Sequence, residues 1–288
     1  LQDSAISALK EVKNLFREIG YTLSDAEDIF MYVLDITLEE LILGNHQLTD
    51  AQKINIQEII ARAVNGEPMA HIMGQKFFWD SYFKVTKDTL IPRAETEILV
   101  AAVLKKINER RGGKSQGIKL LDLGTGSGCI LLSIVKELKK NCYNFSGIGI
   151  DISTHAIDIA KYNAKNLELD DNVQFICCNW NELLERFPDE KFDVIVSNPP
   201  YIPSNDIPQL NLSVRNFEPH TALDGSDDGL ECYREIIAIL KRMDIGDSII
   251  AFEFGIRQSQ SIELMMSEIG SFEILKDFRN IPRIIISK

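Results

Sequence analysis

The chain has 288 residues, of which 45% are hydrophobic and 26% charged, and its formal net charge is −12. That length suits one large domain plus a smaller one, and the composition excludes a disordered or fibrous protein. The acidic balance argues against a non-specific hold on nucleic acid, which needs clustered Lys and Arg to neutralise phosphates. No apolar run approaches the roughly 18–20 residues that span a bilayer. The N-terminus also lacks the layout of a secretory signal, so a soluble, cytoplasmic protein is expected. The chain begins at Leu1 rather than Met, an expectation of trimming or of a place within a longer, bifunctional protein.

Residues 4–65 carry helical periodicity, with Ile6, Leu9, Val12, Leu15 and Phe16 on one face and Ala26, Ile29, Phe30, Val33 and Leu34 on another. Ser24 with Glu27 three residues on predicts a capped helix start, and Thr49 plays the same part before 50–64. Residues 1–75 are therefore expected to form a small helical domain for substrate recognition. The aromatic and β-branched pattern of 77–90, broken at Asp80-Ser81 and Lys87-Asp88, predicts a β-hairpin linker over 76–93. From 94 to 288, helices alternate with short apolar strands, which predicts an α/β domain with a mostly parallel sheet. Strands are expected at 119–123, 147–151, 173–177, 192–197, 248–254, 272–277 and 283–287. Helices are expected near 94–109, 128–140, 153–167, 231–242 and 257–269. The last two strands follow one another without a helix, so they should close the sheet as an antiparallel hairpin.

Cysteines at 129, 142, 177, 178 and 232 show no C-x-x-C spacing and read as buried thiols in a reducing compartment. Histidines at 46, 71, 155 and 220 form no ligand pair, so no metal is expected. The one basic cluster, Lys105, Lys106, Arg110, Arg111 and Lys114, reads as a helix C-terminus complementing its own dipole or as a docking patch for a partner.

The first strand of the sheet runs through Asp122-Leu123 into Gly124-Thr125-Gly126-Ser127-Gly128 and an apolar helix. Glycines there let the backbone turn sharply and approach a ligand, and the helix N-terminus offers unpaired N–H groups. Asp151 ends the next strand, where a carboxylate can accept both ribose hydroxyls of a nucleoside. Nicotinamide and S-adenosyl-L-methionine enzymes share that placement. Asp122, placed for an amino-acid end, and Asn179-Trp180, placed to bond and stack on adenine, lean toward the latter. Asp122 could also serve as a turn-stabilising acceptor, and Trp180 as a core residue at the rim.

The fourth strand runs into Asn198-Pro199-Pro200-Tyr201. Ligands in open α/β sheets lie beyond the carboxyl ends of strands, so this tetrapeptide should face the cofactor, with Asn198 bordering cofactor and substrate alike. Two prolines fix the backbone and supply carbonyls without N–H donors. An amide or exocyclic amine nitrogen is a poor nucleophile with two hydrogens to grip. The Asn198 oxygen and the Pro199 carbonyl can each take one, aiming the nitrogen at a sulfonium methyl, while Tyr201 packs over the planar group.

With these residues in place the sequence resembles the HemK/PrmC family of protein-(glutamine-N5) methyltransferases. The resemblance extends through Gly66-Glu67-Pro68-Met69-Ala70-His71-Ile72-Met73-Gly74 and Leu90-Ile91-Pro92-Arg93-Ala94-Glu95-Thr96-Glu97. It continues through Phe217-Glu218-Pro219, Ala222-Leu223-Asp224-Gly225, Asp228-Gly229 and Glu253-Phe254-Gly255 with Gln258. It implies a seven-stranded S-adenosylmethionine-dependent, Rossmann-like methyltransferase sheet behind a helical N-terminal domain and a hairpin linker. It implies S-adenosyl-L-methionine as cofactor, S-adenosyl-L-homocysteine as product, and the glutamine of the Gly-Gly-Gln motif in peptide-chain release factors as substrate. By the same resemblance Gly124–Gly128, Asp151 and Trp180 contact the cofactor, Asn198–Tyr201 hold the glutamine, and Pro92, Arg93 and Glu95 line the cavity. Arg93 could instead be an ion-pair partner within the linker, and Glu253 could orient loop residues or serve structure alone. Ala94, Ser226, His71, Asn179 and the turn Asn280-Ile281-Pro282-Arg283 depart from the family's usual residues, and none removes a group the chemistry requires.

The main rival is a nucleic-acid adenine-N6 methyltransferase, which uses a similar loop but must also flip a base and hold a phosphate backbone. Residues 1–100 carry nine Lys and Arg against sixteen Asp and Glu, a poor surface for a duplex. A non-catalytic S-adenosylmethionine-binding module would have little use for Asn198. A nicotinamide dehydrogenase would need a histidine or a tyrosine-lysine pair.

Overall fold

The computed structural model describes residues 1–110 and 117–288. Contacts divide them into two units, Leu1–Gly74 with Leu212–Phe217, and Gln75–Asn211 with Glu218–Lys288.

The first unit holds α1 (Ala5–Ile19), α2 (Leu23–Leu34), α3 (Leu38–Leu43), α4 (Asp50–Val64) and α5 (Met69–Met73). The apolar stripes predicted on α1 and α2 meet in one core, where Leu9, Val12 and Phe16 pack with Ala26, Ile29, Phe30 and Ile56. Three helices begin with reciprocal caps, at Thr22 with Asp25, Thr37 with Glu40, and Thr49 with Gln52. Thr49 is the predicted cap of α4. The predicted cap Ser24 is not one. Thr22 Oγ1 accepts the Asp25 N–H at 3.1 Å and the Asp25 carboxylate accepts the Thr22 N–H at 2.7 Å, so Ser24 falls inside the first turn.

The second unit opens with a hairpin of β1 (Gln75–Phe78) and β2 (Ser81–Lys84), followed by irregular chain to a 3₁₀ turn at Ala94–Thr96. Then come α6 (Glu97–Arg110), β3 (Ile118–Leu123), α7 (Cys129–Lys140), β4 (Phe145–Asp151), α8 (Thr154–Asn166) and β5 (Val173–Cys177). After α9 (Leu183–Arg186) and β6 (Val194–Ser197), α10 (Leu212–Phe217) groups with the first unit. The chain ends with α11 (Glu231–Leu240), β7 (Ile249–Glu253), α12 (Ser259–Met266), β8 (Phe272–Lys276) and β9 (Pro282–Ser287). Every predicted strand is present, with ends shifted by a residue or two. The short elements α9 and α10 were not predicted, since four and six residues are too few to establish a period.

The sheet order is β5-β4-β3-β6-β7-β9-β8, parallel except for the antiparallel final hairpin. Alternation along the strands feeds two cores. Leu120, Val194, Val196, Ile249 and Ala251 join α6 and α7 on one face, while Leu121, Leu123, Ile195, Ile250 and Phe252 join α11 on the other. Strand order reverses between β3 and β6, so the crevice beyond their carboxyl ends is the switch point at which such sheets bind ligands. Ser197 Oγ donates to the Leu123 carbonyl at 2.7 Å and ties these two strand ends together.

In the basic cluster, Lys105 pairs with Glu109 at 3.8 Å and Lys106 with Glu273 at 3.0 Å. Arg110 donates to the carbonyls of Asp247 and Lys288, away from its own helix end. Arg111 and Lys114 lie outside the described residues.

Candidate active site

The carboxyl end of the switch point opens into a cavity of about 430 Å³, the size range of small-molecule sites. Its floor is the turn after β3. Gly124, Gly126 and Gly128 all have positive φ, a region that costs other residues, and the turn hangs on β4 through the amides of Gly124 and Thr125, both 2.9 Å from the Ile150 carbonyl. Gly126 N–H donates to Asp151 Oδ2 at 2.9 Å, while Ser153 N–H donates to Oδ1 at 2.9 Å. Asp151 is thus held in place on the cavity wall, and a carboxylate has acceptor capacity beyond these two bonds. Burial pushes its carboxyl above the usual range, opposed by those amides.

Of the site residues expected from the sequence, Gly124, Thr125, Gly126, Ser127, Asp151, Asn179, Trp180, Asn198, Pro200 and Arg93 line the cavity together. Five predicted site residues do not. Asp122 is fully buried beneath the turn, where one oxygen accepts the Thr125 hydroxyl at 2.7 Å and the other has no partner. Burial pushes its carboxyl up to about 7. Gly128 serves packing, because a Cβ there would lie 3.1 Å from Leu132, 3.2 Å from Phe175 and 3.3 Å from Ala160. Pro199 is buried between Asn198 and Pro200, which both line the cavity, but is not itself part of the lining. Tyr201 turns inward against the α11 core, with its hydroxyl 3.4 Å from Glu253 Oε1, so it does not form a cavity wall. Glu95, expected beside Arg93, pairs instead with Arg279 at 2.8 Å.

Two further predictions are refined. Arg93 both lines the cavity and pairs at 2.5 Å with Glu218, whose other oxygen accepts the Ile91 N–H at 3.2 Å. Asn179 caps the short turn of Trp180–Glu182, and its Oδ1 is occupied by the Asn181 N–H at 2.8 Å, which leaves its amide nitrogen for a ligand.

Sequence reasoning missed Glu235 and Thr96. Glu235 accepts the Trp180 indole N–H at 2.6 Å and fixes the ring that stands 3.9 Å from where a Gly124 Cβ would be. The lining carries four carboxylates, Asp88, Asp151, Asp224 and Glu235, against the single guanidinium of Arg93, a balance that favours a cationic ligand. Thr96 joins Asn198 to Glu253. Asn198 Nδ2 lies 3.5 Å from Thr96 Oγ1, and the Thr96 hydroxyl donates to Glu253 Oε2 at 2.6 Å. Asn198 Oδ1 is buried with no partner. A buried carbonyl without a partner at the edge of a cavity is free to accept an N–H from what occupies it.

The loop after Asn198 is clamped at one atom. The Tyr201 carbonyl accepts Gln258 Nε2 at 2.9 Å, while Gln258 Oε1 accepts the Gly255 N–H at 2.8 Å. A Cβ on Gly229 would come within 2.3 Å of that carbonyl, which explains why glycine stands there. Among the described residues, no group of three or more His, Cys, Asp or Glu could hold a metal ion. Among the same residues, no helix is long and apolar enough to cross a membrane.

Comparison with known proteins agrees with this geometry. Residues 7–74 match the PrmC N-terminal domain and residues 114–245 match a methyltransferase domain. The release factor glutamine methyltransferase of Thermodesulfovibrio yellowstonii is 32% identical over 98% of this chain and 98% of its own. That of Caulobacter vibrioides is 35% identical over 91% of this chain and 88% of its own. The N-terminal domain of human METTL16, solved in complex with SAH, shares the fold with a TM-score of 0.52 at 15% identity, over 85% of each chain. Fold and site together define an S-adenosylmethionine-dependent methyltransferase of the Rossmann-like class. Within that class, the chain belongs to the release factor glutamine methyltransferase family.

Proposed function

We propose that this protein methylates the side-chain amide nitrogen, N5, of the glutamine in the Gly-Gly-Gln motif of peptide-chain release factors, in the cytoplasm. The observation that carries this reading is the buried, unpartnered Oδ1 of Asn198 beside the glycine turn. A glutamine amide presents two N–H bonds in one plane. Asn198 Oδ1 accepts one, and the Pro199 carbonyl, followed by a residue without an N–H, is the second acceptor on chemical grounds. Gripping both hydrogens orients the nitrogen lone pair and stabilises the positive charge that grows on it as the new bond forms. The proton is then shed readily, because an alkylated amide nitrogen is strongly acidic, so the site needs no strong base.

S-adenosyl-L-methionine supplies an electrophilic methyl on a sulfonium when bound. Asp151 would hold its ribose, Trp180 and the Asn179 amide its adenine, and the Gly124–Gly128 turn its amino-acid end, over an acidic lining that suits its positive charge. The helical first unit is proposed to recognise the release factor.

The test supplies labelled S-adenosylmethionine with a purified release factor, with the same factor carrying Gln→Ala in the motif, and with DNA or tRNA. Label is expected on the first alone. Label on nucleic acid and none on the factor overturns the reading in favour of an adenine-N6 methyltransferase.

A further inference from the structure

We infer that Thr96 and Glu253 form a positioning relay that decides which end of the Asn198 amide faces the substrate nitrogen. The inference rests on the amide-gripping role of Asn198 and adds the device that makes it work. An asparagine amide has an acceptor end and a donor end of nearly equal size, so shape alone does not choose between them. Presented to a substrate NH₂, the donor end would repel where the acceptor end binds.

The choice follows from counting hydrogens. The Thr96 hydroxyl has one, and it goes to Glu253 Oε2 at 2.6 Å. Toward Asn198 it can offer only a lone pair, which selects Nδ2 at 3.5 Å and leaves Oδ1 as the open acceptor. Glu253 is 1% exposed at the end of β7, and its position is fixed from several sides. Its Oε1 accepts the Tyr201 hydroxyl at 3.4 Å and its backbone carbonyl accepts the Tyr233 hydroxyl at 2.7 Å. Thr96 and Glu253 are themselves 2% and 1% exposed, so the bond between them is shielded from competing water.

The relay has a polarity that a proton can invert. A proton on Glu253 Oε2 would be donated to Thr96, whose own hydrogen would then turn to Asn198 and favour the flipped amide. The groups facing this carboxyl are Thr96 and Glu95 on the 3₁₀ turn, Tyr201 after β6, Tyr233 on α11, Arg283 on β9 and Cys129 on α7. Burial raises its titration, Thr96, Arg283 and Tyr201 oppose, and the balance stands at about 7. The ionised form is the active one, so turnover should be lost as pH falls through neutrality.

The experiment measures kcat, KM and S-adenosylhomocysteine affinity of the full chain on a release factor, from below to above neutral pH. The variants are Thr96→Val, Thr96→Ser, Glu253→Gln and Asn198→Ala. Thr96→Val is isosteric and is expected to lower kcat by about 10–100-fold with cofactor affinity kept. Thr96→Ser should restore it. In Glu253→Gln the amide oxygen keeps Tyr201 and the nitrogen meets Thr96 as a donor, so turnover should be slow at every pH and the acid limb should vanish. Undiminished kcat in Thr96→Val and Glu253→Gln, with Asn198→Ala inactive, overturns the relay and leaves the grip of Asn198 intact. Full activity of Asn198→Ala overturns both. Equal loss of cofactor affinity in Thr96→Val and Thr96→Ser marks a purely structural role and overturns the relay as well. If Glu253→Gln does not fold, the two Thr96 variants decide.

Discussion

Trp180 donates its indole N–H to Glu235 Oε2 at 2.6 Å, which joins the turn after β5 to α11 across one end of the cavity. The bond holds a large aromatic face in one orientation before any ligand arrives. Removing it should weaken cofactor binding and leave the chemical step alone. Glu235→Ala is therefore expected to raise the Kd for S-adenosylhomocysteine by about 3–10-fold, the share of a charge-assisted bond that survives partial exposure. Calorimetric titration checks this, with kcat at saturating cofactor expected to be unchanged.

The clamp on the Tyr201 carbonyl predicts a sharper effect. Gly229→Ala would put a methyl 2.3 Å from a backbone oxygen, at a residue whose φ is +74°. The atom in the way belongs to the reaction loop and cannot swing aside like a side-chain tip. Turnover should fall by about 10², the scale of a misplacement of about 1 Å at a reacting centre. Cofactor affinity, set by the turn after β3, should persist. Equal turnover in the variant and the parent would show that the loop does not need this clamp.

Asp122 links the glycine turn to pH-dependent stability. Its carboxyl is pushed up to about 7 by burial, so its folded-state titration lies above the unfolded one. Its contribution is fully present below the unfolded value of about 3.9 and is lost as pH rises through the folded value. Asparagine does not ionise, and its oxygen can still accept the Thr125 hydroxyl. The stability of Asp122→Asn relative to the parent should therefore rise from about pH 5 to about pH 8, on the order of 2 kcal/mol. Thermal unfolding at a series of pH values measures that slope, and a flat difference would contradict the burial of a titrating group.

The strands were legible because their apolar runs have no other use than burial on both faces, and the glycine turn was legible because only glycine tolerates its geometry. Side-chain direction was not. Tyr201 and Glu95 sit in recognisable motifs, yet their partners Glu253 and Arg279 are far off in sequence, and those partners turn them away from the cavity. Glu235 was invisible for the same reason, since nothing in a single helix reveals the indole it will meet. The cap of α2 was ambiguous in a different way, for Thr22 with Asp25 and Ser24 with Glu27 are overlapping boxes two residues apart. The structure uses the Thr22 box, and α1 ends two residues earlier at Gly20 in a left-handed turn.

That choice can be measured. Thr22→Ala removes a side-chain acceptor from the helix end and is expected to cost about 1 kcal/mol in denaturant unfolding of the first unit. Ser24→Ala, inside the first turn, should change little. The reverse ranking would restore Ser24 as the cap.

The most direct test of the central claim is where the methyl group lands. After reaction of the full chain with S-adenosylmethionine and a release factor, fragmentation mass spectrometry of the digested factor should place one added methyl on the side-chain nitrogen of the Gly-Gly-Gln glutamine. Asn198→Ala should leave that peptide unmodified. A methyl on any other residue, or an unmodified factor beside methylated nucleic acid, would contradict the account.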